Sequence, residues 1–288
     1  MKVGDLVVRK SYDKDITFRI IDIREEEDNV YYVLKGINIR IIADSTVDDL
    51  EEVDEGFNGA KDKIFNARVN EAIKKVMISR EVGRLKYTKG QKIIADKELT
   101  FGRPGKILHV DGDAQYLDAC IKTYKQMNLN AVGKAVVEKE QPNKIVDLVK
   151  EIKPDIVVLT GHDGLLKNAR DYLNLNNYRN SKYFIEAVKN LRNYNSSYDE
   201  LVIFAGACQS CYESILDAGA NYASSPNRVL IHCLDPVFVC EKVAYTTIDK
   251  LVSITEVIEN TITGIKGIGG LQTRGKYREG YPKSPYVT

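Results

Sequence analysis

The sequence predicts an α/β protein whose mostly parallel sheet is covered by helices, preceded by a small SH3-like β-barrel and a helical connector. Three observations predict it. Residues 3–53 carry short apolar bursts, VGDLVVRK, ITFRIIDI, VYYVLKG and IRIIADS, separated by the turn signals DKD, EEEDN and GIN. Short strands at that spacing read as a small barrel over residues 1–53. Residues 54–103 change character: KIFNARVNEAIKKVMISREVGRLK places Ile64, Phe65, Val69, Ile73, Val76 and Met77 at helical spacing, then fades into the basic stretch RLKYTKGQK. This is the expected connector. From 104 to 288, continuous apolar runs alternate with amphipathic segments. That pattern belongs to a parallel sheet buried on both faces.

The elements of this last region follow in order. KILHVDGD is the first strand, AQYLDACIKTYKQMN a helix, NAVGKAVVE the second strand and NKIVDLVKEIK its helix. Pro154 introduces the third strand, PDIVVLTGHDG. After an insertion, SKYFIEAVKNLRNY is a helix and DELVIFAGACQS the fourth strand. CYESILDAGA starts a helix that Gly219 stops, and NRVLIHCLDP is the expected fifth strand. The C-terminal segment begins as a helix and ends in Gly-rich turns with Gly267, Gly269 and Gly270; these lack P-loop spacing, and a substrate-side loop is expected there.

Composition bounds the function. The 288 residues are 43% hydrophobic and 29% charged, as in an ordinary globular protein. Lys+Arg at 42 against Asp+Glu at 41 leave a net charge of +1, so no global field draws nucleic acid or an anionic membrane, and neither is an expected partner. The N-terminus MKVGDLVVRKSYDKD lacks the apolar core of a signal peptide, and no apolar run is long enough to span a bilayer. Five cysteines (120, 208, 211, 233 and 240) without secretory features read as reduced thiols in a cytoplasmic setting.

In a doubly covered parallel sheet, chemistry collects beyond the carboxyl ends of the strands. Those tips hold Asp111 and Asp113 (strand one), His162 and Asp163 (strand three), Cys208 (strand four) and Asp235 (strand five). Of the three histidines, His109 and His232 lie inside apolar runs and read as core residues, whereas His162 stands in a loop. A thiol with pKa near 8.5 needs activation, and an imidazole can take its proton and return it to a leaving amine. Cys208 and His162 lie 46 residues apart, enough for one crossover with an insertion. Cys208 is also expected at a helix start, whose N–H groups favour a thiolate. No cofactor and no metal are expected.

A histidine after one apolar strand and Ala-Cys after the next, VVLTGHDG and VIFAGACQS, resemble the caspase-like cysteine peptidases: caspases, legumain, gingipain, clostripain and separase. More closely, the chain resembles the YabG family of sporulation-specific proteases. The strings are VGDLVVRKSY, GKILHVDGD, DIVVLTGHD, LVIFAGACQS, AGANYASSP, HCLDPV and GGLQTRG, spread over nearly the whole length. The resemblance implies a cysteine endopeptidase that processes spore-coat and germination-related proteins, in the cytoplasm of the sporulating cell or associated with the spore coat. It implies Cys208 and His162 as the catalytic pair. Caspase-like enzymes have Gly directly after the histidine, where its N–H holds the oxyanion; here Asp163 follows, so the backbone N–H groups of Asp163 and Cys208 are the candidate donors. Cleavage after Arg is expected, with Asp111, Asp113 and Asp235 as candidates for the pocket that selects it, although Asp113 also fits a helix N-cap. Arg80, Arg84 and Arg103 of the connector are candidate self-processing sites.

Three rival readings use the same residues. Cys208 and Cys211 form a C-x-x-C that would suit a thiol–disulfide protein. His162 with the two cysteines superficially matches a zinc deaminase, but Gly164 stands where its glutamate should be and Ala207 where its proline should be. The acidic tips resemble a non-enzymatic receiver module, but NRVLIHCLDP offers no lysine at the tip of strand five.

Overall fold

The alternation of apolar runs and amphipathic segments is realised as two large sheets, a two-stranded sheet that pairs residues 101–103 with 278–280, and seven α-helices among the described residues. The structure is a computed structural model; it describes the chain outside residues 27–28, 91–99, 168, 285 and 287–288, and for residues 26 and 81–90 the backbone alone.

The N-terminal bursts become β1 (Leu6–Arg9), β2 (Thr17–Glu26), β3 (Asn29–Gly36), β4 (Ile42–Thr46) and β5 (Leu50–Glu52). They form one antiparallel sheet in the order β4-β3-β2-β1-β5, around Val7, Ile16, Phe18, Ile20, Leu34, Ile39 and Leu50. The expected barrel does not close: among the described residues no ladder joins β4 to β5, so both remain edges.

The connector is α1 (Ala60–Gly90). The Asp62 carboxylate is buried and accepts the Thr17 N–H at 2.7 Å, fastening the helix to the sheet. Val76 is buried, and Phe65, Val69, Ala72 and Ile73 pack beside it on one stripe at helical spacing. Ile64 and Met77 fall off that stripe and are exposed, contrary to expectation.

The second sheet has the order β12-β11-β10-β9-β7-β8. β7 (Ile107–Asp111), β8 (Ala131–Ala135), β9 (Ile156–Thr160), β10 (Val202–Ala205) and β11 (Tyr222–Ser224) are parallel, and β12 (Ile268–Gly270) is an antiparallel edge. The period of two sends alternate residues to opposite faces. Ile156, Val158, Val202 and Phe204 join a core with α2 (Ala114–Gln126), α6 (Asp235–Tyr245) and α1. Val157, Leu159, Ile203 and Ala205 join another with α3 (Gln141–Ile152), α4 (Ser181–Tyr194) and α5 (Tyr212–Asp217). No helix among the described residues is long and apolar enough to cross a membrane.

Three expectations are corrected. The run 228–234 is not a strand; the fifth parallel strand is the shorter β11, before it. Ile231 is buried and Leu230 partly so because the segment is wedged against the N-terminal sheet, where His232 bridges Ile39 and the Cys233 N–H donates to Asn38 O. Asp235 is therefore the first residue of α6, with Pro236 behind it, rather than a strand tip. The Gly-rich end, after α7 (Ile254–Asn260), supplies β12, where Gly269 and Gly270 sit against the Tyr212 ring and the Asn221 carbonyl.

Candidate active site

Parallel pairing in register brings the ends of β9 and β10 side by side: Ala205 is opposite Leu159, and the Gly206 N–H donates to Leu159 O at 3.0 Å. Beyond Leu159 the chain reaches His162, and beyond Ala205 it reaches Cys208. Gly206 has φ of +111°, and a Cβ there would lie 2.5 Å from Ser224 Oγ, so this corner requires glycine.

His162 is held at three points. Its N–H donates to Glu138 Oε1 at 2.6 Å, its carbonyl accepts from Asn180 Nδ2 at 2.8 Å, and its ring Nε2 lies 2.9 Å from Asp113 Oδ2. Asp113 caps α2, accepting the Gln115 and Tyr116 N–H groups, and it also binds Lys35 Nζ from β3 at 2.6 Å. Burial alone would raise the Asp113 carboxyl, but the bonds from His162 and Lys35 outweigh it and hold the group below the usual carboxylate range. An ionised carboxylate only accepts, so in the neutral form of the ring Nε2 carries the proton and Nδ1 presents its lone pair. Nδ1 has no hydrogen-bond partner among the described residues.

Cys208 lies in the turn before α5, which begins only at Tyr212; the expected helix-terminus stabilisation of its thiolate is absent. The side chain is buried, with 1% exposure. Its sulfur accepts the Ile231 N–H at 3.2 Å and faces Ile231 O at 3.8 Å. Burial pushes the thiol up to about 12, so it is neutral as it stands. No hydrogen bond joins Cys208 to His162 in this arrangement.

Asp163 connects the two loops. Its carboxylate accepts from the Gly164 and Asn180 N–H groups at 2.8 Å, and from the hydroxyls of Ser181 and Ser210. Ser210 Oγ in turn accepts the Ala207 N–H at 2.9 Å, and Ser181 Oγ accepts the Cys211 N–H at 2.8 Å. One half-buried acid thereby links the loop after β9, the start of α4 and the turn holding Cys208. Burial raises its carboxyl, against the pull of these bonds. The backbone N–H groups of Asp163 and Cys208 make no hydrogen bonds with the described residues.

The other predicted residues are placed differently. Asp111 is fully buried in a two-pronged pair with Arg40, at 3.0 and 2.6 Å, and also accepts from Thr160 Oγ1 and the Asp113 N–H. Asp235 is fully buried and accepts from the N–H groups of His232, Ile262 and Thr263. Neither carboxylate is open to a substrate guanidinium, because both are enclosed and their lone pairs are taken. Asp113 is committed to Lys35 and His162. His109 and His232 are buried as expected. Burial lowers both, His232 to about 3. Cys208 and Cys211 are both free thiols, and Cys211 Sγ contacts Ser214 Oγ rather than its neighbour. Arg80 is tied to Glu241 at 2.6 Å, Arg103 sits in β6 (Phe101–Arg103), and the side chain of Arg84 lies outside the described residues.

Sequence reasoning missed Lys35, Arg40 and Glu138. Lys35 and Asp113 are 78 residues apart, and no spacing motif joins them. It also missed an open cleft of about 460 Å³ beside Gln209, lined by Leu165, Tyr172, Glu213 and Arg228 among others.

Comparison with known proteins agrees with the motifs. The family model for YabG peptidase U57 matches residues 2–282. The sporulation-specific protease YabG of Bacillus subtilis (strain 168) is 41% identical over 285 residues, covering 98% of each chain. With tips of two neighbouring strands carrying a histidine and a cysteine, and a match along nearly its whole length, the chain belongs to the YabG peptidase family and is a protease.

Proposed function

We propose that this protease is a cysteine endopeptidase of sporulation that cuts proteins after arginine, with Cys208 as nucleophile and His162 as its acid–base partner. The observation that carries the reading is the pairing of neighbouring tips: an oriented imidazole with a free Nδ1 on β9, and a cysteine on β10, linked through Asp163. In the reaction, Nδ1 takes the thiol proton, and the sulfur attacks the scissile carbonyl. The oxyanion is received by the unpartnered N–H groups of Asp163 and Cys208. The imidazolium returns its proton to the leaving amine, giving a thioester, which a water deprotonated by the same imidazole then hydrolyses.

Because Ile231 encloses the sulfur, a peptide reaches it only when residues 229–233 move aside. Opening also restores solvent to the thiol and removes the cause of its raised pKa. For arginine, the supporting feature is the cleft next to Gln209, where the Glu213 side chain is 46% exposed beside Arg228. A substrate guanidinium would share that carboxylate. Spore-coat and germination-related proteins are the proposed substrates, in the sporulating cell or at its coat; the similarity to a sporulation-specific protease supports the sporulation setting alone. A redox role for the two cysteines and a receiver role have no comparable support.

The test is cleavage of an arginine-containing protein by wild type, Cys208→Ala, His162→Ala and Cys211→Ala. Loss is expected for the first two variants only; a Cys208→Ala protein that still cuts ends the proposal.

A further inference from the structure

The N-terminal sheet reaches into the chemistry. β3 contributes Lys35, whose ammonium is largely enclosed, with 10% side-chain exposure against 11% for Asp113. It donates to Asp113 Oδ1 at 2.7 Å and to Gln115 Oε1 at 2.8 Å, and lies 4.7 Å from the centre of the Tyr116 ring. The same ring packs on His162 at 5.7 Å, and its hydroxyl is bound by the carbonyls of Gly36 and Ile39. Arg40, just after the β3 turn, fixes Asp111, whose Oδ1 accepts the Asp113 N–H at 2.8 Å. Every contact that locates the Asp113 carboxylate, apart from its own helix cap and His162, therefore leads back to residues 35–40.

We propose that the N-terminal sheet completes the active site: Asp113 orients His162 through Nε2, and Lys35 holds and charge-balances Asp113, making both positioning residues. The proposal rests on the reading of His162 as the acid–base group. Neither residue touches the scissile bond; each acts through the imidazole. Asp113 selects the tautomer that leaves Nδ1 for the thiol and opposes the charge of the imidazolium. Lys35 keeps the carboxylate from rotating and offsets its charge. Among the described residues, Glu138 binds the His162 N–H, Asp111 with Arg40 lies beneath, and Asp163, next in the chain, is turned to Asn180, Ser181 and Ser210. Arg40 and Asp111 neutralise one another, so Lys35 is the cation that balances Asp113.

This makes opposite predictions for two substitutions. Removing the Lys35 charge disfavours a thiolate and favours an imidazolium, so both limbs of the pH–rate profile move to higher pH. Removing the Asp113 charge moves them to lower pH. A residue that only supports the fold would do neither.

The experiment measures kcat and KM against pH for an arginine peptide with the full chain. The proteins are wild type, Asp113→Asn, Lys35→Gln and Lys35→Arg, with Cys208→Ala and His162→Ala as references and thermal melting to show that each is folded at the assay temperature. Asp113→Asn is expected to lose about 10²-fold in kcat. Lys35→Gln is expected to lose roughly tenfold in kcat with KM within about twofold, and Lys35→Arg to restore most of it. The limbs should move in opposite directions for the two charge-removing variants. Folded Asp113→Asn and Lys35→Gln proteins with wild-type kcat overturn the proposal, as does reduced kcat with an unmoved pH profile. Retained cleavage by His162→Ala would instead remove the reading beneath it.

Discussion

The tips of β9 and β10 lie in register, yet they are built for opposite conditions. His162 keeps a quarter of its side chain exposed, is bound at its N–H, carbonyl and Nε2, and leaves one nitrogen free. Cys208 is enclosed, neutral, and held between the N–H and carbonyl of Ile231. The charges around the histidine are paired in advance, whereas the proposed nucleophile is kept covered by Ile231. On the proposed mechanism, the difference teaches that the acid–base half of the site is preorganised and that access is controlled on the cysteine side. The cover is itself pinned to the N-terminal sheet through Ile39 and Asn38, so that sheet touches both halves.

The largest expected effect breaks the histidine side. Arg40→Met leaves the Asp111 charge buried and unpaired, which costs about 3–5 kcal/mol of stability by urea denaturation at pH 7. The pH dependence should invert as well. Burial would raise the Asp111 carboxyl, but Arg40 and His109 hold it far below its unfolded value. In wild type its contribution is therefore present above about pH 4 and lost as pH falls further. In Arg40→Met the unpaired acid takes up a proton more readily folded than unfolded, so stability rises on moving from pH 7 to pH 5.

The next effect sharpens the cysteine side. With its thiol pushed up to about 12, Cys208 should react with iodoacetamide at pH 8 at least about 10²-fold more slowly than an exposed cysteine. Rapid alkylation in the native protein would show that residues 229–233 do not cover it. A smaller change concerns the cleft beyond the cysteine: Glu213→Gln is expected to cost roughly tenfold in kcat/KM on arginine peptides, with little change on peptides lacking a cation. The smallest is Cys211→Ser. Its sulfur packs beside Ser214 away from Cys208, so cleavage should stay within about twofold of wild type.

The parallel core was legible because its strands are uninterrupted apolar runs; the strand-tip rule then selected Asp111, Asp113, His162, Asp163, Cys208 and Asp235, of which Asp235 starts a helix instead, and the family resemblance singled out His162 and Cys208. The fifth strand was misread for a physical reason. In VLI at 229–231, Leu230 packs on the N-terminal sheet and Ile231 is buried over Cys208, and burial without strand pairing gives the same apolar signature as a strand. The roles of the acids were unreadable for a related reason. Asp111 and Asp113 look alike in HVDGD, and only the arrival of Arg40 and Lys35, more than 70 residues away in sequence, makes one a buried anchor and the other a partner of His162. The thiol's state was equally hidden, since it depends on Ile231, 23 residues on.

The most direct test of the central claim is to treat the active protein with an arginine-containing peptidyl chloromethyl ketone and locate the adduct by mass spectrometry. The account predicts one adduct, on Cys208, with Cys211 unmodified, loss of cleavage in step with labelling, and no labelling of Cys208 in His162→Ala. An adduct on another residue that abolishes cleavage while Cys208 stays free would contradict it.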